Sequence, residues 1–163
     1  MNYAALSQAI QDYTENTESS FVANIPLFVE QAEQRVFNTM QFPSLRKNVT
    51  GVSTASNKDL SCPDDFLSVY SLAVIDGAGD YNYLLNKDVN FIREAYPSAT
   101  STGLPAYYAL FGPTVTGGAI TNELSFILGP TPDIQYSVEL HYFYYPQTIS
   151  VSGTSWLGDN FDS

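Results

Sequence analysis

The chain has 163 residues, 44% of them apolar and 14% aromatic, which is a one-domain length able to bury a core without disulfides and too apolar for disorder. Its formal net charge is −11, no Lys or Arg follows Arg93, and Cys62 is the single cysteine. This excludes a grip on nucleic-acid phosphates, argues against anionic membranes, and leaves no internal disulfide framework, as suits a reducing cytoplasm.

No apolar run reaches membrane-spanning length, and the start "MNYAALSQAIQDY" lacks the basic residues and continuous apolar stretch of a secretory signal. The sequence Asn48-Val49-Thr50 is therefore read as a chance glycosylation match. Over the first forty residues the period is helical. Tyr3, Leu6, Ile10 and Tyr13 recur at spacings of three and four, and "TENTESS" interrupts them. A second pattern runs through Ile25, Phe28, Val29, Ala32, Val36 and Met40, with Asn24 as cap, Pro26 in the first turn and Pro43 as the stop. Two amphipathic helices joined by a short break predict a helical hairpin.

After Leu45 the period changes. "NVTGVST" is strand-like, "ASNKD" a turn, and "CPDDF" leads into a strong strand from Leu67 to Ile75. "DGAGD" is a turn and "YNYLL" a partner strand. "DVNFIREAYP" is a short helix capped by Asp88, "AYYALFG" a strand, and "PTVTGGAITN" a loop or a short ribbon. "ELSFILGP" is a strand with Leu124, Phe126 and Leu128 on one face.

In "YSVELHYFYYPQ" the even positions Tyr136, Val138, Leu140, Tyr142 and Tyr144 are apolar or aromatic. The odd positions begin polar and turn aromatic at Phe143 and Tyr145. Period two makes this a half-buried strand covered on both faces at its far end, ended by Pro146. The tail "SWLGDNFDS" offers Asp159 or Asp162 as a helix N-cap. A chain that stops where a helix should begin reads as truncated.

The expected class is α+β: an N-terminal helical hairpin packed with a mainly antiparallel β-sheet or small sandwich, and a truncated C-terminal helix. The expected divisions are a helical hairpin at 1–44, a β-rich domain at 45–150 with one short helix near 88–96, and a tail at 151–163.

Catalytic signals are weak. His141, the single histidine, lies beside Glu139 on the more polar face of its strand, and a metal site there would lack ligands. Cys62 precedes Pro63 with no basic neighbour to activate it. Asp76 and Asp80 flank Gly77 and Gly79, which suits a hairpin turn better than a calcium loop. Asp64 and Asp65 are adjacent, whereas a glycosidase needs two carboxyls facing each other across a cleft. The expectation is no catalytic residue, no metal and no cofactor.

In colinear order, "QAIQDYTENTESSFVANIPLFVEQAEQRVFN", "SLAVIDGAGDYNYLLNKDVNFIREAYP", "STGLPAYYALFG", "FILGPTPD" and "VELHYFYYP…WLGDNFDS" resemble the adaptor, or head-to-tail connector, proteins of tailed bacteriophages, most closely those of short-tailed phages. The resemblance implies a structural, non-enzymatic virion protein, made in the host cytoplasm and placed at the head-to-tail junction. It implies self-association into a ring, typically of twelve copies, docked on the portal protein and presenting a platform for the tail nozzle or tail tube. Genomic DNA would pass through the lumen without specific binding. Such contacts need exposed apolar residues with polar rims, and Tyr3, Tyr13, Phe21, Phe37, Tyr81, Trp156, Leu157 and Phe161 are the candidates. Relatives commonly continue into further helical sequence beyond the segment matching "WLGDNFDS". Competing readings are a head- or tail-completion protein of another phage type, a carbohydrate-binding β module that exploits the many Tyr and Asp residues, and an acidic glycosidase. The helical hairpin favours the adaptor over both sugar readings.

Overall fold

A computed structural model describes residues 1–40, 43–98, 100–122 and 124–160. The helices are α1 (Tyr3–Thr14), α2 (Ser19–Thr39), α3 (Val89–Ala95), α4 (Ile149–Ser152) and α5 (Trp156–Asn160). The first strands are β1 (Arg46–Val52), β2 (Asp59–Ser61), β3 (Phe66–Ile75), β4 (Tyr81–Tyr83), β5 (Leu85–Asn86) and β6 (Thr102–Gly103). The remaining strands are β7 (Tyr107–Phe111), β8 (Thr114–Thr116), β9 (Ala119–Asn122), β10 (Ser125–Gly129), β11 (Thr131–Pro132) and β12 (Ser137–Tyr144). The chain is α+β, as expected, and divides into two compact units: Met1–Leu45 with Tyr145–Ser163, and Arg46–Tyr144.

In the helical unit, Asn2 caps α1 by accepting from the Ala5 N–H at 2.9 Å. Helix α2 corrects the expected start. It begins at Ser19, so Pro26 lies well inside it and Asn24 is not its cap; the Asn24 amide donates instead to the Ser20 carbonyl at 2.8 Å. Apolar burial outweighs the missing Pro26 N–H. Ile25 and Val29 are buried with Ile149, and Tyr3, Leu6, Ile10 and Phe21 pack around them. Extending the helix back to Ser19 carries Phe21, four residues before Ile25, onto that face.

The tail is also corrected. Helix α5 has already begun at Trp156, and its N-cap is Ser155, whose Oγ accepts from the Gly158 N–H at 3.1 Å. Asp159 therefore sits within the helix rather than at its cap, and Asp162 lies outside the described residues.

The β unit holds two four-stranded sheets, ordered β1-β12-β3-β4 and β2-β10-β7-β5. Their pairings are antiparallel except β5 with β7. One core joins the sheets. Leu72, Val74, Val138, Leu140 and Tyr142 of the first pack with Tyr108, Phe126 and Leu128 of the second. Phe126, wholly buried, receives Phe66 and Tyr108 edge-on with ring centroids 5.6 Å away in each case. Such geometry adds to simple area burial. The aromatic run is thus answered: Tyr136, Val138, Leu140 and Tyr142 of the even set are core, with Tyr144 packed partly buried against it.

Strand β10 is buried at every residue because its second face is covered too. Ile127 packs with Ile92 of α3 and with Ala109. Helix α3 is capped by Asp88, which accepts from Asn90 N–H at 2.7 Å. Its close approach depends on Gly129, where an added Cβ would stand 3.0 Å from Ile92 Cγ2 and 3.1 Å from Tyr96 Cδ2. The segment "YNYLL" does not form one strand. Tyr81–Tyr83 pairs with β3, Leu84 is buried, and Leu85–Asn86 pairs with β7 of the other sheet. The "DGAGD" turn is held by Asp76, whose Oδ1 accepts from Ala78 N–H at 2.9 Å and Asp80 N–H at 3.0 Å, with Gly79 at φ +91°.

Candidate functional site

The helical unit presents an apolar groove of about 400 Å³. Phe28, Ala32 and Val36 recur every fourth residue along α2, and Leu6 and Ile10 do the same along α1, so each helix offers one stripe to it. Phe28 and Ala32 are exposed. Glu33 also lines the groove, and both its carboxylate oxygens accept from the Ile149 N–H, at 3.0 and 3.3 Å. That N–H opens α4 and would otherwise lack an intrahelical partner. A second hollow of about 240 Å³ shares Glu33 and is lined by Glu30, Gln34, Phe37 and Tyr145.

The outer face of the first sheet carries a hydrogen-bonded polar group around Glu139 among exposed aromatic side chains. Asn48 donates to Glu139 Oε1 at 2.6 Å, and His141 Nε2 lies 3.5 Å from the same oxygen. His141 Nδ1 shares a 3.1 Å hydrogen bond with Ser71 Oγ. The charge of Glu139 raises the Tyr81 phenol above its ordinary pKa. At one end, a register irregularity between His141 and Tyr142 skips Tyr70, whose ring meets Phe143 while Arg46 lies over both, 4.4 and 5.3 Å from their centroids. Cys62 is partly buried against the sandwich core, and that burial pushes its thiol up to about 12. Among the described residues no three His, Cys, Asp or Glu side chains gather to hold a metal, and no helix is long and apolar enough to cross a membrane.

The residues singled out as interface candidates fall in both units. Tyr13 is 92% exposed at the end of α1, Trp156 is exposed on α5, and Tyr81 is exposed in the β unit, stacked on Tyr83. Tyr3 and Phe21 pack partly buried around the helical core. Phe37 meets Tyr145 edge-on at 6.5 Å. Leu157 lies on α5, and Phe161 lies outside the described residues. Sequence reasoning passed over the groove itself but allowed a short ribbon in "PTVTGGAITN", where β8 and β9 pair. In the ribbon, Val115 pairs with Ile120 and both are more than half exposed. The signal was present in the Val115 and Ile120 alternation around Gly117 and Gly118, both at positive φ.

A family model described as "SU10 adaptor protein" matches residues 1–163, the whole length of the chain. The chain belongs to the SU10 adaptor protein family. It is a phage adaptor, a structural component of the virion. The sequence resemblance to phage adaptors and this match agree, and both are carried by the entire chain rather than by a short motif. No curated protein matches this adaptor.

Proposed function

We propose that this adaptor forms a ring, of twelve copies, at the head-to-tail junction of a short-tailed phage. The ring docks on the portal protein and presents a platform to the tail nozzle or tube. The observation that carries this reading is the full-length family match. A ring requires one heterologous interface repeated until it closes, and the exposed Tyr13, Tyr81 and Trp156 are suited to such contacts. The net charge of −11 supports a lumen that repels DNA phosphates and lets the genome slide.

Sedimentation tests the reading. The adaptor would be run alone and mixed with the portal protein of the same phage. A stoichiometric complex in the mixture supports docking, and twelve copies per portal ring supports the stoichiometry. Two species sedimenting independently would sink it. For the lumen, neutralising the acids that line the assembled ring should slow ejection, and unchanged kinetics would count against that role.

A further inference from the structure

We propose that the apolar groove of the helical unit receives a basic amphipathic helix from the protein on which the adaptor docks. The inference rests on the reading that this chain docks on a protein partner. Two helical stripes, Phe28–Ala32–Val36 and Leu6–Ile10, form walls into which side chains of a third helix can interdigitate. Residues 28 to 36 advance about 12 Å along α2, roughly two turns of a docking helix. That helix would bring apolar residues at spacings of three and four.

Charge selects the occupant. The described part of this unit holds six carboxylates, Asp12, Glu15, Glu18, Glu30, Glu33 and Asp159, against two cations, Arg35 and the Met1 ammonium, which is engaged by the Gly158 carbonyl. Glu33 lines both the groove and the neighbouring hollow, where Glu30 joins it. An apolar stripe flanked by Lys or Arg would meet apolar walls first and carboxylates at the rim. A second copy of this chain, whatever its contacts in a ring, has few basic side chains to bring to the groove, since it carries six Lys and Arg in all. Four of the six basic side chains are engaged in the β unit: Arg46 over Tyr70, Lys47 on Asp65, Lys87 over Phe91 and Arg93 over Phe111. A phosphate-bearing partner would be repelled by the same rim.

The test uses the full chain with a dye-labelled synthetic Leu/Lys amphipathic helical peptide and its Leu/Glu twin, and binding is read from the anisotropy of the dye. The Leu/Lys peptide should bind about tenfold or more tighter than its twin at physiological salt. Ala32→Trp fills the groove from an exposed position and should weaken binding about tenfold. Glu30→Lys, also exposed, should weaken it severalfold. Equal binding of the twin, or unchanged affinity in Ala32→Trp, overturns the proposal. So does a self-associated adaptor that falls to monomer in Ala32→Trp, which assigns the groove to a second copy. If Ala32→Trp still forms the portal complex at full strength, portal docking stands and the groove assignment fails. If the wild type ignores portal yet binds the Leu/Lys peptide at the groove, the groove stands and the portal reading fails.

Discussion

The Tyr142 hydroxyl donates to the Asp65 carboxylate at 2.7 Å, and Lys47 holds the other oxygen of the same carboxylate. One acid thereby ties β1, the entry to β3 and β12 together. Tyr142 is nearly fully buried, and its ring stacks on Phe66 at 5.8 Å. Tyr142→Phe keeps the ring and removes the donor. It should cost about 1 kcal/mol in urea denaturation. A loss no larger than the error of the measurement would mean that the hydroxyl adds nothing to folding.

The same carboxylate makes stability depend on acid. Partial burial pushes Asp65 up, but hydrogen bonds from Lys47 and Tyr142 and the Lys47 charge outweigh it, so the folded group lies below its ordinary 3.8. A lowered folded pKa gives a contribution that is present above the unfolded value and lost as pH falls through the folded one. The stability difference between wild type and Asp65→Asn should therefore be constant near neutrality and shrink from about pH 5 downward. A difference that grew in acid would refute the sign.

At the alkaline end the direction reverses. The hydrogen bond to Asp133 at 2.6 Å holds the Tyr136 phenol up to about 12, and desolvation together with Asp65 does the same for Tyr142. Raised folded values leave stability unaffected below the unfolded pKa of 10.0 and erode it between 10 and about 12. Thermal melts across that range should show a steep fall, shallower in Tyr136→Phe. Equal slopes in the two proteins would remove Tyr136 from the explanation.

Gly129→Ala should destabilise by about 1–3 kcal/mol through overpacking. The methyl would press on Ile92 and Tyr96, which hold α3 against the sheet. The backbone at Gly129 lacks the positive φ seen at Gly79, so the cost comes from contact alone. Combined with Ile92→Ala, Gly129→Ala should cost less than the sum of the two single losses, and a double mutant that merely adds the two costs would argue against contact.

Glu33→Ala removes the acceptor of the Ile149 N–H. Amide exchange at Ile149 and through α4 should accelerate by about tenfold, corresponding to about 1.4 kcal/mol. Unchanged protection would show that burial of Ile149 alone holds the segment.

Periodicity found the elements wherever one face was buried. The even residues from Tyr136 to Tyr142 are an example, because a strand with one core face writes period two into its sequence. Local signals misled at α2. Asn24 and Pro26 form a good N-terminal signature, but Phe21 joins the packing around Ile25 and Val29 and the helix runs through it. Strand β2 escaped notice because three residues carry no measurable period. The division of "YNYLL" between two sheets depends on a partner beyond the hairpin, because Leu85–Asn86 leaves β3 to pair with Tyr107 and Tyr108. The groove was invisible for a related reason. Leu6, Phe28 and Val36 each announce an apolar face, and only the pairing of α1 with α2 turns those faces into walls.

Arg46 and Phe143 are register partners, so β1 and β12 run side by side where the chain enters and leaves the sandwich. The two crossing points are one strand spacing apart, about 5 Å, which two or three extended residues can bridge. Residues 46–144 are in effect a cassette spliced into a helical host. A gene encoding residues 1–45, a short bridge and residues 145–163 needs no rerouting of the chain, and a foreign sandwich with paired ends could be inserted at the same seam. Recombination among phages could exchange what the cassette contacts while leaving the helical frame, and whatever it docks on, untouched.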